Sequence, residues 1–257
     1  MQIFFPNKSK TVKYAGNWDP NSKQPLTYRL QKRILSSTFL TKNCKVLVYG
    51  SWKNQTKNIV PFFTASYFKN EIIKLEQKKI DDEIKLIFVG SFSEGKQPLI
   101  SVKVAEELFN KGYNVKLEMY GDGNRYTEVK NYIEYHHLED VVKLYGNQSK
   151  DVIKKAFQKS HFLIFISKSE GWPKVVAEAM FWSCLPVSTE VSCVPFMLDY
   201  GKRGALVKSN VFEILKVLEG YINDSDKFIL TIENAKSWSQ DYTLEKFSQE
   251  IKKIIHD

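Results

Sequence analysis

The sequence predicts an α/β fold built on a Rossmann-like, doubly wound parallel sheet. Short apolar runs alternate with longer amphipathic segments from residue 82 onward. Strands that are apolar on both faces and separated by helices are typical of a parallel sheet covered on both sides. Apolar residues make up 43% of the 257 residues and aromatic residues 14%, which is enough for a substantial core and excludes disordered and fibrous proteins.

The first part of the chain does not show this alternation. One basic helix is predicted at residues 25–36, and two strands are predicted at 45–49 and 59–63. Because one helix and two strands cannot enclose a core of ordinary size, we expect residues 1–80 to be the incomplete remnant of a larger α/β domain. The charged run at 78–83 is the predicted boundary.

Residues 81–240 are predicted to form a second unit, and residues 241–257 are predicted to hold a C-terminal helix. The predicted strands of the second unit are 84–89, 115–120, 141–145, 162–166 and 185–188. The helices predicted from residue 81 onward are 98–110, 126–136, 210–221, 225–237 and 243–255. In an open parallel sheet of this kind, a ligand is expected at the carboxyl ends of the strands.

The net charge of +9 is concentrated near the N-terminus. Residues 1–70 contain 12 Lys or Arg and a single acidic residue, Asp19. This asymmetry suggests a polyanionic partner such as an anionic membrane surface, a phosphorylated substrate or nucleic acid, although a solvated basic face explains the charge equally well. Nucleic acid is disfavoured because no zinc-finger, RNP-type or helix-turn-helix signature accompanies the charge.

The sequence contains neither a membrane-spanning pattern nor a disulfide framework. The longest purely apolar stretch, residues 162–166, is far shorter than the ~20 residues that cross a bilayer, and residues 1–6 lack the length of a signal-peptide core. The cysteines Cys44, Cys184 and Cys193 form no C-x-x-C pair and show no zinc-ligand spacing. We therefore expect a cytoplasmic protein with buried thiols and no bound metal.

The densest functional signal directly follows the predicted strand 162–166. It is the segment Ser167-Lys-Ser-Glu-Gly-Trp-Pro-Lys-Val-Val-Ala-Glu-Ala-Met180. Pro173 is predicted to be the first residue of a helix, so the amides that follow it would point outward from the helix start. A strand, a glycine turn and a helix N-terminus together suit a phosphate or diphosphate, and Lys174 adds a mobile positive charge.

Two carboxylates flank this turn, Glu170 before it and Glu178 within the predicted helix. On one continuous helix they would lie ~12 Å apart, which is wider than the roughly 5–9.5 Å between the carboxylates of a glycoside hydrolase. They are therefore predicted to hold different parts of one extended ligand rather than to act as an acid and base on one bond. Taken alone, Glu178 is better explained as an ordinary helix carboxylate and Glu170 as a partner of the helix dipole.

Further motifs occur in order along the chain. They are Phe88-Val-Gly-Ser-Phe-Ser-Glu-Gly-Lys96, Tyr120-Gly-Asp-Gly123, Tyr145-Gly-Asn-Gln148 and Gly201-Lys-Arg-Gly-Ala-Leu-Val207. Over residues 84–208 the chain thus resembles the retaining nucleotide-sugar glycosyltransferases of family 4, the glycosyl transferases group 1, with Glu170 and Glu178 as the Glu-x7-Glu signature. That family has the two-domain GT-B fold, in which the C-terminal half binds the donor and the last helix crosses back to the N-terminal half.

The resemblance implies a role for each matching residue. Glu170 would face the transferred sugar, Lys96 would neutralise charge on the leaving diphosphate, and these two are the implied catalytic residues. Glu178 would accept hydrogen bonds from the ribose hydroxyls, and Asn147 would contact the base. The turn implied to cradle the diphosphate consists of Gly171, Trp172, Pro173, Lys174 and Val175. Neither a metal ion nor another cofactor is required.

The chain departs from the family pattern in three places. Ser91, also an implied substrate-binding residue, stands where the family has an arginine, so one phosphate contact is missing or comes from Lys174 or Arg203. His161 replaces an acidic residue, and a strand-edge histidine with a satisfied hydrogen bond is the favoured interpretation. Residues 1–80 are too few for an acceptor domain, so we expect a truncated product, a fragment or one member of a two-chain enzyme.

The function predicted from the resemblance is transfer of a hexose or related sugar from a nucleoside diphosphate sugar to a glycan or lipid-linked acceptor, with retention. Envelope polysaccharide synthesis at the inner membrane face would suit the basic N-terminus. The main alternative is a non-catalytic or partner-dependent nucleotide-sugar-binding subunit. An epimerase, a phosphorylase and a nucleic-acid binder are the remaining alternatives, and no local motif supports the two enzymes.

Overall fold

The structure is a computed structural model and describes residues 7–256. Within that range the chain forms two sheets, one of three strands and one of six, and every strand pair in both is parallel. The smaller sheet belongs to the N-terminal part of the chain, and the larger one begins at Ile84. No helix in the described part of the chain is long and apolar enough to cross a bilayer.

The N-terminal unit has its three strands in the order β1-β2-β3. Its elements are β1 (Lys10–Lys13), α1 (Leu26–Ser36), β2 (Cys44–Tyr49) and β3 (Ile59–Phe62). The prediction of only two strands here was wrong. Strand β1 has a single apolar residue, Val12, in a run of four and shows no hydrophobic pattern, and it forms because it pairs with β2, Val12 opposite Val46.

The larger sheet has the order β6-β5-β4-β7-β8-β9. Its strands are β4 (Ile84–Val89), β5 (Val115–Tyr120), β6 (Val142–Gly146), β7 (Phe162–Phe165), β8 (Leu185–Thr189) and β9 (Ala205–Val207). The winding reverses between β4 and β7, as in a doubly wound sheet. The predicted fold class is thereby confirmed.

Helices cover both faces of this sheet. They are α2 (Pro98–Asn110), α3 (Tyr126–Tyr135), α4 (Lys150–Lys159), α5 (Lys174–Phe181), α6 (Val194–Met197), α7 (Val211–Ile222), α8 (Ser225–Gln240) and α9 (Leu244–His256). Strand β4 shows why two layers form, because Leu86 and Phe88 enter one core while Ile87 enters the other. All three side chains are at most 1% exposed, so the strand is apolar on both faces.

Some elements were not predicted. Strand β9 is only three residues long, and helix α4 begins after Ser149, whose hydroxyl accepts the amide of Val152 at 3.4 Å. Helix α3 ends one residue earlier than expected, with His136 as its C-terminal cap. The other strands and helices predicted from residue 81 onward are confirmed within a few residues.

Helix α9 packs against the N-terminal unit. The ring of Phe247 lies 5.4 Å from that of Phe62 and 6.0 Å from that of Phe63, measured between centroids. Near the end of the helix, the Lys45 ammonium donates to the carbonyl of Ile254 at 3.3 Å. The last helix of the chain therefore joins the two sheets into one body.

Candidate active site

The predicted site residues gather at the carboxyl ends of β4 and β7, where the winding of the larger sheet reverses. The loop after β4 runs from 90 to 97, and the loop after β7 runs from 166 to 173. A crevice outside these strand ends is the place where open α/β sheets bind ligands. The two loops are bonded directly, since the Lys168 amide donates to the Gly95 carbonyl at 2.8 Å.

Lys96 and Glu170 form an ion pair between these loops. The Lys96 ammonium donates to Oε1 of Glu170, and the Ser167 hydroxyl donates to the same oxygen at 2.6 Å. The Glu170 side chain is 11% exposed and that of Lys96 is 25% exposed. The ammonium also lies 4.9 Å from the centre of the Phe165 ring. The structure thus brings together the two residues predicted to be catalytic.

The base of the second loop is fixed by Thr189 on the neighbouring strand β8. The Thr189 hydroxyl donates to the Ser167 carbonyl at 2.6 Å, and the Ser167 amide donates to the Thr189 hydroxyl at 3.0 Å. Both groups are buried. The bonds between Ser167 and Thr189 fix the base of the loop, and the ion pair with Lys96 holds the Glu170 side chain. Glu170 therefore has a defined position.

The loop after β5 lies so close to the loop after β4 that two positions require glycine. A Cβ at Gly121 would lie 1.9 Å from the Gly90 carbonyl oxygen, and one at Gly123 would lie 2.6 Å from that of Phe92. Both glycines also have positive φ, +131° and +157°. The glycines of the Tyr120–Gly123 motif are therefore explained by the close approach of two backbone segments.

Helix α5 begins one residue later than predicted. Pro173 is its N-terminal cap with φ −74° and ψ 90°, and Lys174 is the first helical residue. The Val176 amide donates to the Pro173 carbonyl at 3.0 Å, so it is already used within the helix. The amides at the helix start that have no intrahelical partner are those of Lys174 and Val175.

Gly171 lies against the N-terminal unit. A Cβ at this position would lie 2.4 Å from the carbonyl oxygen of Ala15. On the other side, the Ser192 hydroxyl donates to the Gly171 carbonyl at 2.8 Å. The turn after Glu170 is therefore clamped between the two units of the chain.

The Trp172 side chain lies within an aromatic cluster between the units and is 7% exposed. Its ring centroid is 5.8 Å from Tyr49, 6.5 Å from Trp238 and 6.3 Å from Tyr242. The side chain therefore packs within this cluster, and the backbone of Trp172 borders the site.

Glu178 lies on α5 and is half-buried. The hydroxyl of Ser66, from the segment that connects the two units, donates to Oε1 of Glu178 at 2.5 Å. The Lys150 ammonium donates to the Ser66 carbonyl, also at 2.5 Å. Sequence reasoning missed Ser66 because 112 residues separate it from Glu178 and no motif surrounds it.

The remaining predicted residues lie around the rim of the site. Asn147 is exposed after β6, and Ser91 is exposed with its hydroxyl 3.1 Å from that of Ser93. Lys174 is exposed as well. Burial and the charge of Lys174 lower the pKa of Lys13, whose ammonium lies 5.5 Å from the centre of the Tyr49 ring.

Arg203, the other candidate for the missing phosphate contact, is engaged elsewhere. Its guanidinium stacks 5.0 Å from the Trp238 ring, donates to the Met197 carbonyl at 3.2 Å and lies 3.6 Å from the Asp199 carboxylate. Lys174 is the less restrained of the two cations.

His161 and the cysteines lie outside the site chemistry. The Nδ1 atom of buried His161 accepts the Lys85 amide at 3.1 Å, as expected for a strand-edge histidine. Burial, together with the charges of Lys78 and Lys85, lowers the pKa of His161 to about 4. All three cysteines are buried free thiols. Among residues 7–256, no group of three or more His, Cys, Asp or Glu side chains is placed to hold a metal ion.

Comparison with known proteins finds a matching family for this chain. Residues 69–238 match the family described as Glycosyl transferases group 1. An uncharacterized glycosyltransferase of Methanocaldococcus jannaschii is 28% identical over 173 residues, which cover 66% of this chain and 47% of that relative. An uncharacterized glycosyltransferase of Haemophilus influenzae is 27% identical over 209 residues, which cover 79% and 56%.

The fold is also similar to solved structures. HepE of Anabaena in complex with UDP superimposes with a TM-score of 0.77 at 14% identity, over 98% of this chain and 73% of that chain. At 14% sequence identity, this similarity is evidence about the fold alone. The chain spans about half the length of the curated relatives that it matches.

Proposed function

We propose that this chain, which belongs to the family of glycosyl transferases group 1, transfers a sugar from a nucleoside diphosphate sugar to a glycan or lipid-linked acceptor. One observation carries the proposal. Lys96 and Glu170 are paired at the switch point of the sheet, and Glu178 lies on the helix that follows the same loop. The Lys96 cation suits the diphosphate of an extended donor, while the separated carboxylates of Glu170 and Glu178 suit its sugar and its ribose.

The proposed roles follow from charge. A bound diphosphate replaces Glu170 as the partner of Lys96, and the freed carboxylate accepts hydrogen bonds from hydroxyls of the sugar. Positive charge from Lys96 and Lys174, with the helix-start amides, stabilises the negative charge that develops on the departing diphosphate. With cations of the chain in that role, no metal ion or cofactor is needed in this proposal.

The reaction exchanges one C–O bond for another. The bond from the anomeric carbon to the diphosphate oxygen breaks, a bond from that carbon to the acceptor oxygen forms, and the proton of the acceptor hydroxyl passes to the departing diphosphate. We propose that the reaction is that of family 4, with retention of the anomeric configuration, and that the transferred group is a hexose or related sugar. Glu170 and Glu178 support this proposal because they have the Glu-x7-Glu spacing. Envelope polysaccharide synthesis is the proposed setting.

The test is a thermal-shift panel of the purified chain with UDP, GDP, ADP and their sugar conjugates, beside Glu178→Ala. A nucleotide at 100 times its dissociation constant should add ~2.7 kcal/mol, or roughly 5–10 °C at this size. A shift that one nucleotide causes and the variant lacks supports the donor site and identifies the base. No shift with any nucleotide, from a folded sample, contradicts the proposal.

A partner-dependent nucleotide-sugar-binding subunit is the second candidate. Two observations favour it: Ser91 leaves one expected phosphate contact unfilled, and α1 has no buried residue. Leu26 and Leu30 of that helix are 77% and 59% exposed, which leaves an apolar face for a second polypeptide. Nucleotide binding without release of nucleoside diphosphate from a sugar donor, until a second polypeptide is added, would favour this candidate.

For a chain that acts without a partner polypeptide, we propose instead that this same face of α1 contacts an anionic membrane surface at the cytoplasmic face. Leu26, Leu30 and Ile34 follow a four-residue spacing and are all exposed, and Arg29 and Arg33 are exposed on the adjoining face. A helix with apolar and basic sides suits the interface of an anionic bilayer. This arrangement would bring the site close to a lipid-linked acceptor.

A further inference from the structure

The segment between the two sheets carries the Ser66 hydroxyl to the carboxylate of Glu178. It follows β3, which ends at Phe62, and it contacts α5 through Ser66 and Tyr67. The bond of 2.5 Å has the length of a charge-assisted O–H···O⁻ bond. Such a bond is about twice as strong as one between neutral groups.

The backbone around Ser66 is held on both sides. The Lys150 ammonium donates to the Ser66 carbonyl at 2.5 Å, and the Leu244 amide donates to the Tyr67 carbonyl at 2.9 Å. The Tyr67 ring is 2% exposed and packs 4.8 Å from the ring of Phe181, which is also on α5. Because its neighbours are fixed against α5 and α9, the Ser66 hydroxyl has a fixed position relative to Glu178.

A carboxylate offers about four lone-pair directions on two oxygens. Ser66 occupies one on Oε1, which restrains rotation of the carboxylate and leaves the other directions for a ligand. Two neighbouring hydroxyls can be recognised by one carboxylate only if its plane is held in the matching orientation.

We infer that Ser66 is a positioning residue for Glu178 that makes the nucleotide site select for the ribose hydroxyls. This inference rests on the proposed function, in which Glu178 binds the ribose. Ser66 acts through Glu178 and not on the reacting atoms. A merely structural hydrogen bond would affect all nucleotides equally, whereas a positioning bond affects only those with both hydroxyls.

The experiment compares calorimetric affinities of UDP, GDP and ADP with those of their 2′,3′-dideoxy counterparts. The chains are the wild type, Ser66→Ala, Ser66→Thr and Glu178→Gln. The control is Ser239→Ala, which removes a hydroxyl bond of 2.6 Å to the Ala177 carbonyl on the same helix. Circular dichroism and thermal unfolding verify that each variant is folded.

We expect the wild type to bind one ribonucleotide more tightly than its dideoxy form. Ser66→Ala should weaken the ribonucleotide by about threefold to tenfold and leave the dideoxy form unchanged. Ser66→Thr should restore the wild-type ratio because it restores the hydroxyl, and Glu178→Gln should remove the preference. Ser239→Ala should lower the melting temperature without changing the ratio.

Each contrary result has a distinct meaning. A wild-type ratio in Ser66→Ala, together with a lost ratio in Glu178→Gln, overturns the role of Ser66 and leaves the ribose assignment standing. An unchanged ratio in Glu178→Gln overturns the ribose assignment and the inference with it. If none of the three nucleotides binds the folded wild type, the proposed function fails and this inference fails too.

Discussion

The backbone of Gly171 and the carbonyl oxygen of Ala15 approach so closely that an added Cβ would lie 2.4 Å from that oxygen. One residue follows the predicted catalytic carboxylate, and the other follows strand β1 in the N-terminal unit. No side chain fits between them without a shift of the backbone. The N-terminal unit therefore restricts the conformation of the loop after β7, which we propose binds the donor.

Gly171→Ala should force the two units apart at this contact. We expect affinity for the nucleoside diphosphate to fall by about tenfold, because even a shift of ~1 Å disturbs a positioned site strongly. Calorimetric titration measures the affinity. Gly95→Ala is the matched control, since a Cβ there meets nothing within 4 Å. Equal affinities in the two variants would contradict the steric argument.

Lys96→Met should reduce turnover about 100-fold, as does the loss of one preorganised charge donor in other enzymes. A transferase assay with nucleoside diphosphate release as the signal gives kcat and KM. Lys168→Met is the comparison, because Lys168 also pairs with a glutamate, Glu94, but that pair is 54% and 69% exposed. If both variants keep full turnover, Lys96 has no catalytic role.

His161 should make the fold sensitive to acid. Its pKa is about 4 in the folded protein and 6.5 ordinarily, so the unfolded chain binds its proton first as the pH falls. The neutral histidine therefore contributes stability that is present above pH ~6.5 and is lost as the pH falls towards ~4, in total about 3 kcal/mol.

Urea unfolding between pH 4 and pH 8 measures this effect. His161→Asn offers an acceptor for the Lys85 amide without a titrating group, so its free energy of unfolding should decline less over the same pH range. Parallel pH profiles of the two proteins would exclude His161 as the source.

The proposed membrane contact of α1 depends on charge and apolar surface together. Arg29→Glu with Arg33→Glu should weaken binding to vesicles containing phosphatidylserine by at least about tenfold, since each basic residue near such a surface contributes ~1 kcal/mol. Co-sedimentation measures binding. Lys155→Glu with Lys159→Glu reverses two exposed charges on α4 and should change little. Equal binding by both double variants would assign the attraction to net charge alone.

Five of the six strands of the larger sheet could be predicted because they are recognisable locally. Strand β4 is apolar on both faces, and such a run has few alternatives to a buried parallel strand. Strand β1, Lys10–Lys13, could not be predicted because its stability comes from pairing with β2. Pro173 was placed one position too far into α5, since proline is compatible with either the cap or the first helical residue.

The site was only partly visible in the sequence. Glu170 and Glu178 share a motif, and Lys96 belongs to another motif that could be recognised. That Lys96 pairs with Glu170 required the topology, because 74 residues separate them. Contacts from the N-terminal unit, Ala15 on Gly171 and Ser66 on Glu178, leave no periodic or local signal and emerge only from the folded chain.

The bond from the Leu244 amide to the Tyr67 carbonyl ties together the two places where the chain passes between the units. Because the two connections are bonded to each other, a shift of the start of α9 is transmitted to the segment that carries Ser66. The packing of α9 on the N-terminal unit therefore bears indirectly on the orientation of the Glu178 carboxylate.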